Sequence, residues 1–337
     1  MKKAYSLLLL SLVFLTASSC KKDDALKGID KTALFADPTQ AELDAIEAAW
    51  KKRDLTPRNI TIEKTHAINS RLNLHIISFE LSGSKQYAGV LVPPTPTPLP
   101  IRVFVSGFSL QDPVTFQNIQ ISSDAANLPF IYLVPALSGQ SLKLVVNDNE
   151  YTSPVSEGAR NDAFDGAADD VIACLNAVGN AFSEADTNAV MIRGGSRGGT
   201  VALLAAERDK RVKLAAGVAF PADLLSLTAT HQNDPIYKFQ FLNALINQTA
   251  TLEETRVRMI ASSPLYFCQY LPKSQMHFGQ DDKITPPLQG QMLFDAMKNL
   301  GLENHIELFI YPNRGHSDVA DNNPEIEQHI QKFFDGL

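Results

Sequence analysis

The chain is poor in cysteine. Its 337 residues hold three, Cys20, Cys174 and Cys268, too few for a disulfide-stapled scaffold. There is no C-x-x-C, no H-E-x-x-H and no paired Cys/His spacing, so no metal site is expected. An excess of positive charge is also missing. Lys and Arg number 30 against 37 Asp and Glu, a balance of −7, which leaves no electrostatic footprint for a nucleic-acid partner. Internal repeats are absent. What is present is 45% hydrophobic and 20% charged residues, enough to bury one large core or two modest ones and unlike a disordered chain or a coiled coil.

The N-terminus reads as an address. Met1-Lys2-Lys3 is a short basic start, and the apolar run from Ser6 to Leu15 has about half the length a bilayer-spanning helix needs. Small residues Ala17-Ser18-Ser19 then lead into Cys20, a pattern that resembles the lipobox of bacterial lipoproteins. That resemblance implies cleavage before Cys20, lipidation of its thiol, and residence in the bacterial cell envelope at the outer membrane. An ordinary secretory signal with an incidental cysteine is the competing reading. Lys21-Lys22-Asp23-Asp24 is similar to the charged export tag of surface lipoproteins, or else a solvated tether. Cys174 and Cys268 lie in apolar stretches and read as two free buried thiols.

These readings divide the chain into a signal peptide (1–19), a tether (20–37) and a single domain (38–337). Thr39-x-x-Glu42 is a capping box ahead of a short helix bearing Leu43, Ile46, Ala49 and Trp50. Three alternating stretches, Asn59 to Ala67, Leu72 to Leu81 and Gln86 to Val92, predict antiparallel strands. The proline-rich run Pro93 to Pro100 cannot donate ladder hydrogen bonds and reads as an exposed connection. Beyond it, apolar strands alternate with helices, the pattern of a mostly parallel sheet covered on both faces. The strands are Ile101 to Val105, Phe130 to Val134, Ala189 to Arg193, Leu214 to Phe220, Gln275 to Phe278 and Ile306 to Tyr311. The helices are Ala163 to Val178, Thr200 to Arg208, Leu288 to Leu300 and Pro324 to Phe334. Residues 222–265 interrupt the alternation and read as a small helical cap.

Gly194-Gly195-Ser196-Arg197-Gly198 is a G-x-S-x-G motif between a strand and a helix, the setting in which a strained turn projects a serine hydroxyl. A phosphate loop is excluded because Thr200 stands where that motif needs lysine. A serine attacks only when a base takes its proton and a carboxylate orients that base. In a sheet of this kind the partners follow as acid and then histidine, on loops after later strands. The chain supplies Gly279-Gln280-Asp281-Asp282 after one strand and Pro312-Asn313-Arg314-Gly315-His316 after the next. His316 combines turn, strand and chain order. His277 lies within a strand and reads as a core ring, and His66, His75, His231, His305 and His329 as surface or packing positions. Spacing alone does not separate Asp281 from Asp282.

The stretch from Gly194 through Arg208-Asp209, Ser263-Pro264 and G-x-x-D-x-x-x-P at Gly279 to Pro286 resembles the catalytic domain of the prolyl oligopeptidase family of α/β-hydrolases. The resemblance runs from about Gln86 to the end and implies that Asp282 is the catalytic acid. It departs from the family in two places. Fewer than a hundred residues precede the sheet, where the peptidases carry a β-propeller, and Ser106-Gly107-Phe108-Ser109 stands in place of His-Gly-Gly. The backbone N–H groups of Phe108 and Arg197 remain the expected oxyanion donors. The Arg197 side chain is left between contact with an anionic substrate group and a structural role. The implied activity needs no cofactor: a lipid-anchored serine hydrolase acting on a small or oligomeric acyl substrate, an ester first, a peptide second. A surface carbohydrate-binding lipoprotein without turnover is the reading from another class.

Overall fold

A computed structural model describes residues 25–121, 128–321 and 323–337. Twelve strands are described: β1 (Arg58–Asn69), β2 (Leu72–Leu81), β3 (Ser84–Val92), β4 (Leu99–Val105), β5 (Val114–Ile119), β6 (Ile131–Ala136), β7 (Ser141–Val146), β8 (Asn149–Val155), β9 (Ala185–Gly195), β10 (Val212–Val218), β11 (Lys273–Gly279) and β12 (Ile306–Tyr311). Nine form one sheet in the order β1-β2-β3-β6-β4-β9-β10-β11-β12. It is antiparallel from β1 to β6 and parallel from β6 to β12. This is the α/β-hydrolase sheet that the sequence implies, with its antiparallel strands at the N-terminal edge.

The sheet buries its two faces differently. On one face pack the helices Asp165–Ala181, Arg197–Arg208 and Leu288–Asn299, whose apolar residues join strand residues such as Val103, Ile192 and Ala215 in the main core. On the other, the helix Pro324–Phe334 sets Ile326, Ile330 and Phe334 against Met191, Leu214 and Ala216. The rest of that face is covered by a second sheet, β5-β7-β8, which places Ile119, Leu142, Leu144 and Val146 on β2, β3 and β6.

Helices lie on both faces as expected, and the small sheet adds a second β layer, not foreseen from the sequence, over part of one of them. Strands β5 and β7 alternate buried with exposed or half-buried positions, as a strand with one wet face should. Two-residue hairpin loop Asn147-Asp148 has positive φ at both positions, 47° and 65°, the backbone a tight hairpin requires and one that Asn and Asp tolerate. The sheets approach so closely that a Cβ on Gly89 would sit 2.4 Å from the Leu144 side chain. Glycine at this position of β3 is what lets the layers meet.

The tether reading also changes. Leu26 and Leu34 are fully buried in the main core. The Arg256 guanidinium reaches the carbonyls of Leu34, Ala36 and Asp37 at 3.2, 2.6 and 2.9 Å and the Glu42 carboxylate at 2.5 and 3.1 Å. Two leucines outweigh the polar average of the stretch, and carbonyls docked on a buried cation need not face water. Thr39 and Glu42 form the capping box of the helix Gln40–Trp50. After β10 the chain passes through short helices at Leu224–Thr230, Pro235–Tyr237, Asn243–Ile246 and Leu252–Ala261. Cys174 and Cys268 are buried, unpaired thiols.

Candidate active site

Strand β9 delivers Ser196 to the rim of the sheet, where the residue adopts φ 53° and ψ −129° before the helix Arg197–Arg208 begins. A non-glycine residue there carries strain that its surroundings must hold. The Ser196 N–H donates to the Val218 carbonyl at 2.8 Å. Crowding explains the flanking glycines: a Cβ on Gly194 would lie 2.2 Å from the Gly198 oxygen, and one on Gly198 would lie 2.0 Å from the Val105 oxygen.

The next two loops are stitched to each other. Asp281 and Gln280 donate backbone N–H bonds to the carbonyls of Arg314 and Tyr311, both at 2.9 Å. His316 opens a one-turn helix, His316–Ala320, whose entry is held by the Gly315 N–H on the Asp318 carboxylate at 2.7 Å. The result is a hydrogen-bonded chain. His316 Nε2 lies 3.1 Å from Ser196 Oγ, and His316 Nδ1 lies 2.8 Å from Asp282 Oδ2. Nδ1 is therefore the protonated ring nitrogen in the resting state, which leaves Nε2 free to accept the serine proton.

Asp281 and Asp282 are now distinct. Asp281 is exposed and Asp282 buried. Burial opposes ionisation of Asp282. The bonds it accepts from His316 and from the Thr285 and Ile284 N–H groups outweigh that cost and hold its carboxyl below the usual range. Thr285, to which sequence reasoning gave no role, completes the surround: its hydroxyl lies 2.9 Å from Asp282 Oδ2, 2.8 Å from the Ala219 carbonyl and 3.0 Å from His316 Nδ1. The D-x-x-T spacing, which lets a carboxylate accept the N–H three residues on, was a legible signal for it. His277, by contrast, is a core ring, fully buried, with Nδ1 on the Tyr311 hydroxyl at 2.9 Å. Burial, with His329 and Arg193 nearby, pushes it down to about 3.

The Arg197 side chain turns away from solvent. It is buried, with Nε on the Ser106 carbonyl at 3.0 Å and Nη2 on the Gly107 carbonyl at 2.7 Å and Gln140 Oε1 at 3.2 Å. Burial brings its guanidinium down to about 9, against the opposing pull of Asp170. Of its two readings the structural one holds, with a consequence for the site. The Gly107 carbonyl and the Phe108 N–H belong to one planar trans peptide group and point in opposite directions. Fixing the carbonyl on Arg197 therefore fixes the direction of the Phe108 N–H. Arg160 pins the next turn through the carbonyls of Ser109 and Leu110.

Two cavities meet at Ser196. One, about 510 Å3, is an open cleft between the two sheets and the His316 loop, bordered by Phe104, Asp112, Phe116, Gln117, His316 and Asp321. The other, about 180 Å3, runs under the short helices after β10. Among the described residues no group of three or more His, Cys, Asp or Glu side chains is placed to hold a metal ion.

A serine elbow at the rim of a mostly parallel sheet, with an acid and a histidine following on later strands, defines a serine hydrolase of the α/β-hydrolase fold. Residues 155–337 match the prolyl oligopeptidase family, and the chain belongs to it. Acetyl xylan esterase 1 from Thermoanaerobacterium sp. JW/SL YS485 aligns with a TM-score of 0.61 at 15% identity, over 87% of this chain and 93% of that one. The acetyl xylan esterase from Paenibacillus sp. R4 aligns with a TM-score of 0.58 at 16% identity, over 90% of this chain and 96% of that one. The Pyrococcus horikoshii acylaminoacyl peptidase aligns with a TM-score of 0.54 at 14% identity, but the chain spans only 41% of its length. At these identities the likeness is one of fold. No curated protein matches the chain.

Proposed function

We propose that the protein hydrolyses carboxylic esters through Ser196, His316 and Asp282. The observation that carries this reading is the unbroken hydrogen-bond chain from Asp282 through His316 to the Ser196 hydroxyl, at 2.8 and 3.1 Å. In the cycle, Ser196 Oγ attacks the acyl carbonyl while His316 Nε2 takes its proton and Asp282 stabilises the imidazolium. The Phe108 and Arg197 N–H groups receive the developing oxyanion. His316 returns the proton to the departing oxygen, and water attacks the acyl-enzyme in a second pass of the same steps. An open cleft beside Ser196, together with a likeness to acetyl xylan esterases over nearly their whole length, favours the ester. Membership of a family named for its peptidases supports the second reading, a serine peptidase. Comparing p-nitrophenyl esters with dipeptidyl and acylaminoacyl p-nitroanilides tests the choice: esters are expected to be turned over faster, and anilides turned over faster would assign a peptidase.

We also propose that Cys20, which lies outside the described residues, carries a lipid and anchors the enzyme in the cell envelope. More than one acyl chain on that residue would make attachment stable where a single chain is marginal. The support is the basic start, short apolar run and small residues that precede it. Cys20→Ala should release the protein from the membrane fraction, and retention there would reject the anchor.

A further inference from the structure

We propose that the 180 Å3 pocket is the acyl site and that the acyl group it takes is one aromatic ring, so that the substrates are esters of aryl carboxylic acids with a large, hydrophilic alcohol. This rests on the ester reading above and adds the direction in which the substrate lies. Both cavities are bordered by Ser196 and Phe108, but of the two only the open cleft is bordered by His316. In the acylation step the Ser196 Oγ to carbonyl-carbon bond forms, the carbon to alcohol-oxygen bond breaks, and that oxygen leaves with the proton from His316 Nε2. The leaving alcohol must therefore stand on the His316 side, in the open cleft. Water for the second step must reach the same place once the alcohol has gone, and an open cleft admits it. The acyl group, which stays bonded to Ser196 meanwhile, is left with the smaller pocket on the side away from His316.

The walls of that pocket state what fits. They are predominantly aromatic and apolar, with Phe108, Phe164, Pro221, Ile236, Tyr237 and Phe241, and they also include the polar side chains of His231, Asp234, Gln240 and Lys283. Its rings are already ordered in stacked pairs, Phe164 with Phe241 at 5.9 Å and Tyr237 with His231 at 5.4 Å between centroids. Exposed Ile236 and Ile284, 39% and 58% accessible, also border it. An apolar cavity of about 150 Å3 holds a benzene ring, so about 180 Å3 takes one ring with its carboxyl carbon. An acetyl group would leave most of that apolar surface unfilled, and a ring adds contacts of the kind aromatic side chains make. The cleft on the other side is nearly three times as roomy and carries Asp112, Gln117 and Asp321 beside Phe116, polar groups for hydroxyls around one exposed ring.

The test uses the full chain with p-nitrophenyl acetate, butyrate and benzoate, which share a leaving group. The benzoate-to-acetate ratio of kcat/KM should exceed the ratio for hydroxide-catalysed hydrolysis of the same two esters at least tenfold. Ile236→Trp or Ile284→Trp, both at exposed positions, should lower that ratio at least fivefold. A wild-type ratio no greater than the hydroxide ratio would overturn the assignment, as would a ratio that responds to Phe116→Ala and to neither tryptophan. Faster turnover of anilides would sink the ester reading alone, since the benzoyl-to-acetyl ratio on anilides still reads the acyl pocket.

Discussion

The two halves of the molecule divide the labour unequally. From β9 onward lie the serine, the acid, the histidine and every strand of the parallel run except β4 and β6, and most of the family match falls here. The half before it holds the Phe108 N–H proposed as an oxyanion donor and most of the walls of the open cleft, among them Phe104, Phe108, Asp112, Val114, Phe116 and Gln117. The later half is constrained by chemistry, because three groups must meet within hydrogen-bond distance. The earlier half is constrained by shape, because it decides what reaches them. Substitutions on either side should differ in kind as well as in size.

The largest effect is expected from Ser196→Ala, which removes the nucleophile and should lower kcat by about 10^4 or more. Steady-state assay of a folded variant checks it. Asp282→Asn should follow with a loss of about 10^3 to 10^4, because an amide cannot stabilise the imidazolium and favours the wrong tautomer. The counterpart Asp281→Asn, at an exposed position, should stay within about threefold. Crossing to the earlier half, Arg197→Met keeps the bulk of the side chain but frees the Gly107 carbonyl. A misdirected Phe108 N–H should reduce kcat by about 10^2 with a much smaller change in KM. If KM rises instead and kcat holds, the guanidinium touches substrate. Leu34→Ala should destabilise the fold by about 2 to 5 kcal/mol, the cost of a cavity at a fully buried leucine, measurable by urea unfolding. A loss below about 0.5 kcal/mol would restore the tether. The smallest effect belongs to Phe116→Ala, expected to raise KM several-fold for esters of bulky alcohols and far less for p-nitrophenyl acetate.

The same division governs how much could be read in advance. G-x-S-x-G between a strand and a helix is legible because the elbow forbids side chains at Gly194 and Gly198. His316 is legible because a turn after the last strand is where a base must stand. Asp282 needed a resemblance to be told from Asp281, since burial and not spacing distinguishes them. The small sheet was missed because β5 and β7, far apart in sequence, pair in parallel, and short alternating stretches of that kind carry little local signal. Its hairpin at Asn147-Asp148 was the clue available. Leu26 and Leu34 were hidden by averaging: two buried anchors in a polar stretch do not change its composition, yet they decide where it sits. Arg197 was ambiguous for a different reason, because its partners are carbonyl oxygens and no sequence pattern marks a carbonyl.

The central claim is that Ser196, activated through His316, forms the covalent intermediate. Labelling with a fluorophosphonate probe followed by mass spectrometry of the peptide map tests it most directly. One adduct is expected, on the peptide carrying Ser196, abolished in Ser196→Ala and strongly slowed in His316→Ala. An enzyme that hydrolyses esters while the adduct falls on another residue, or fails to form at all, would contradict it.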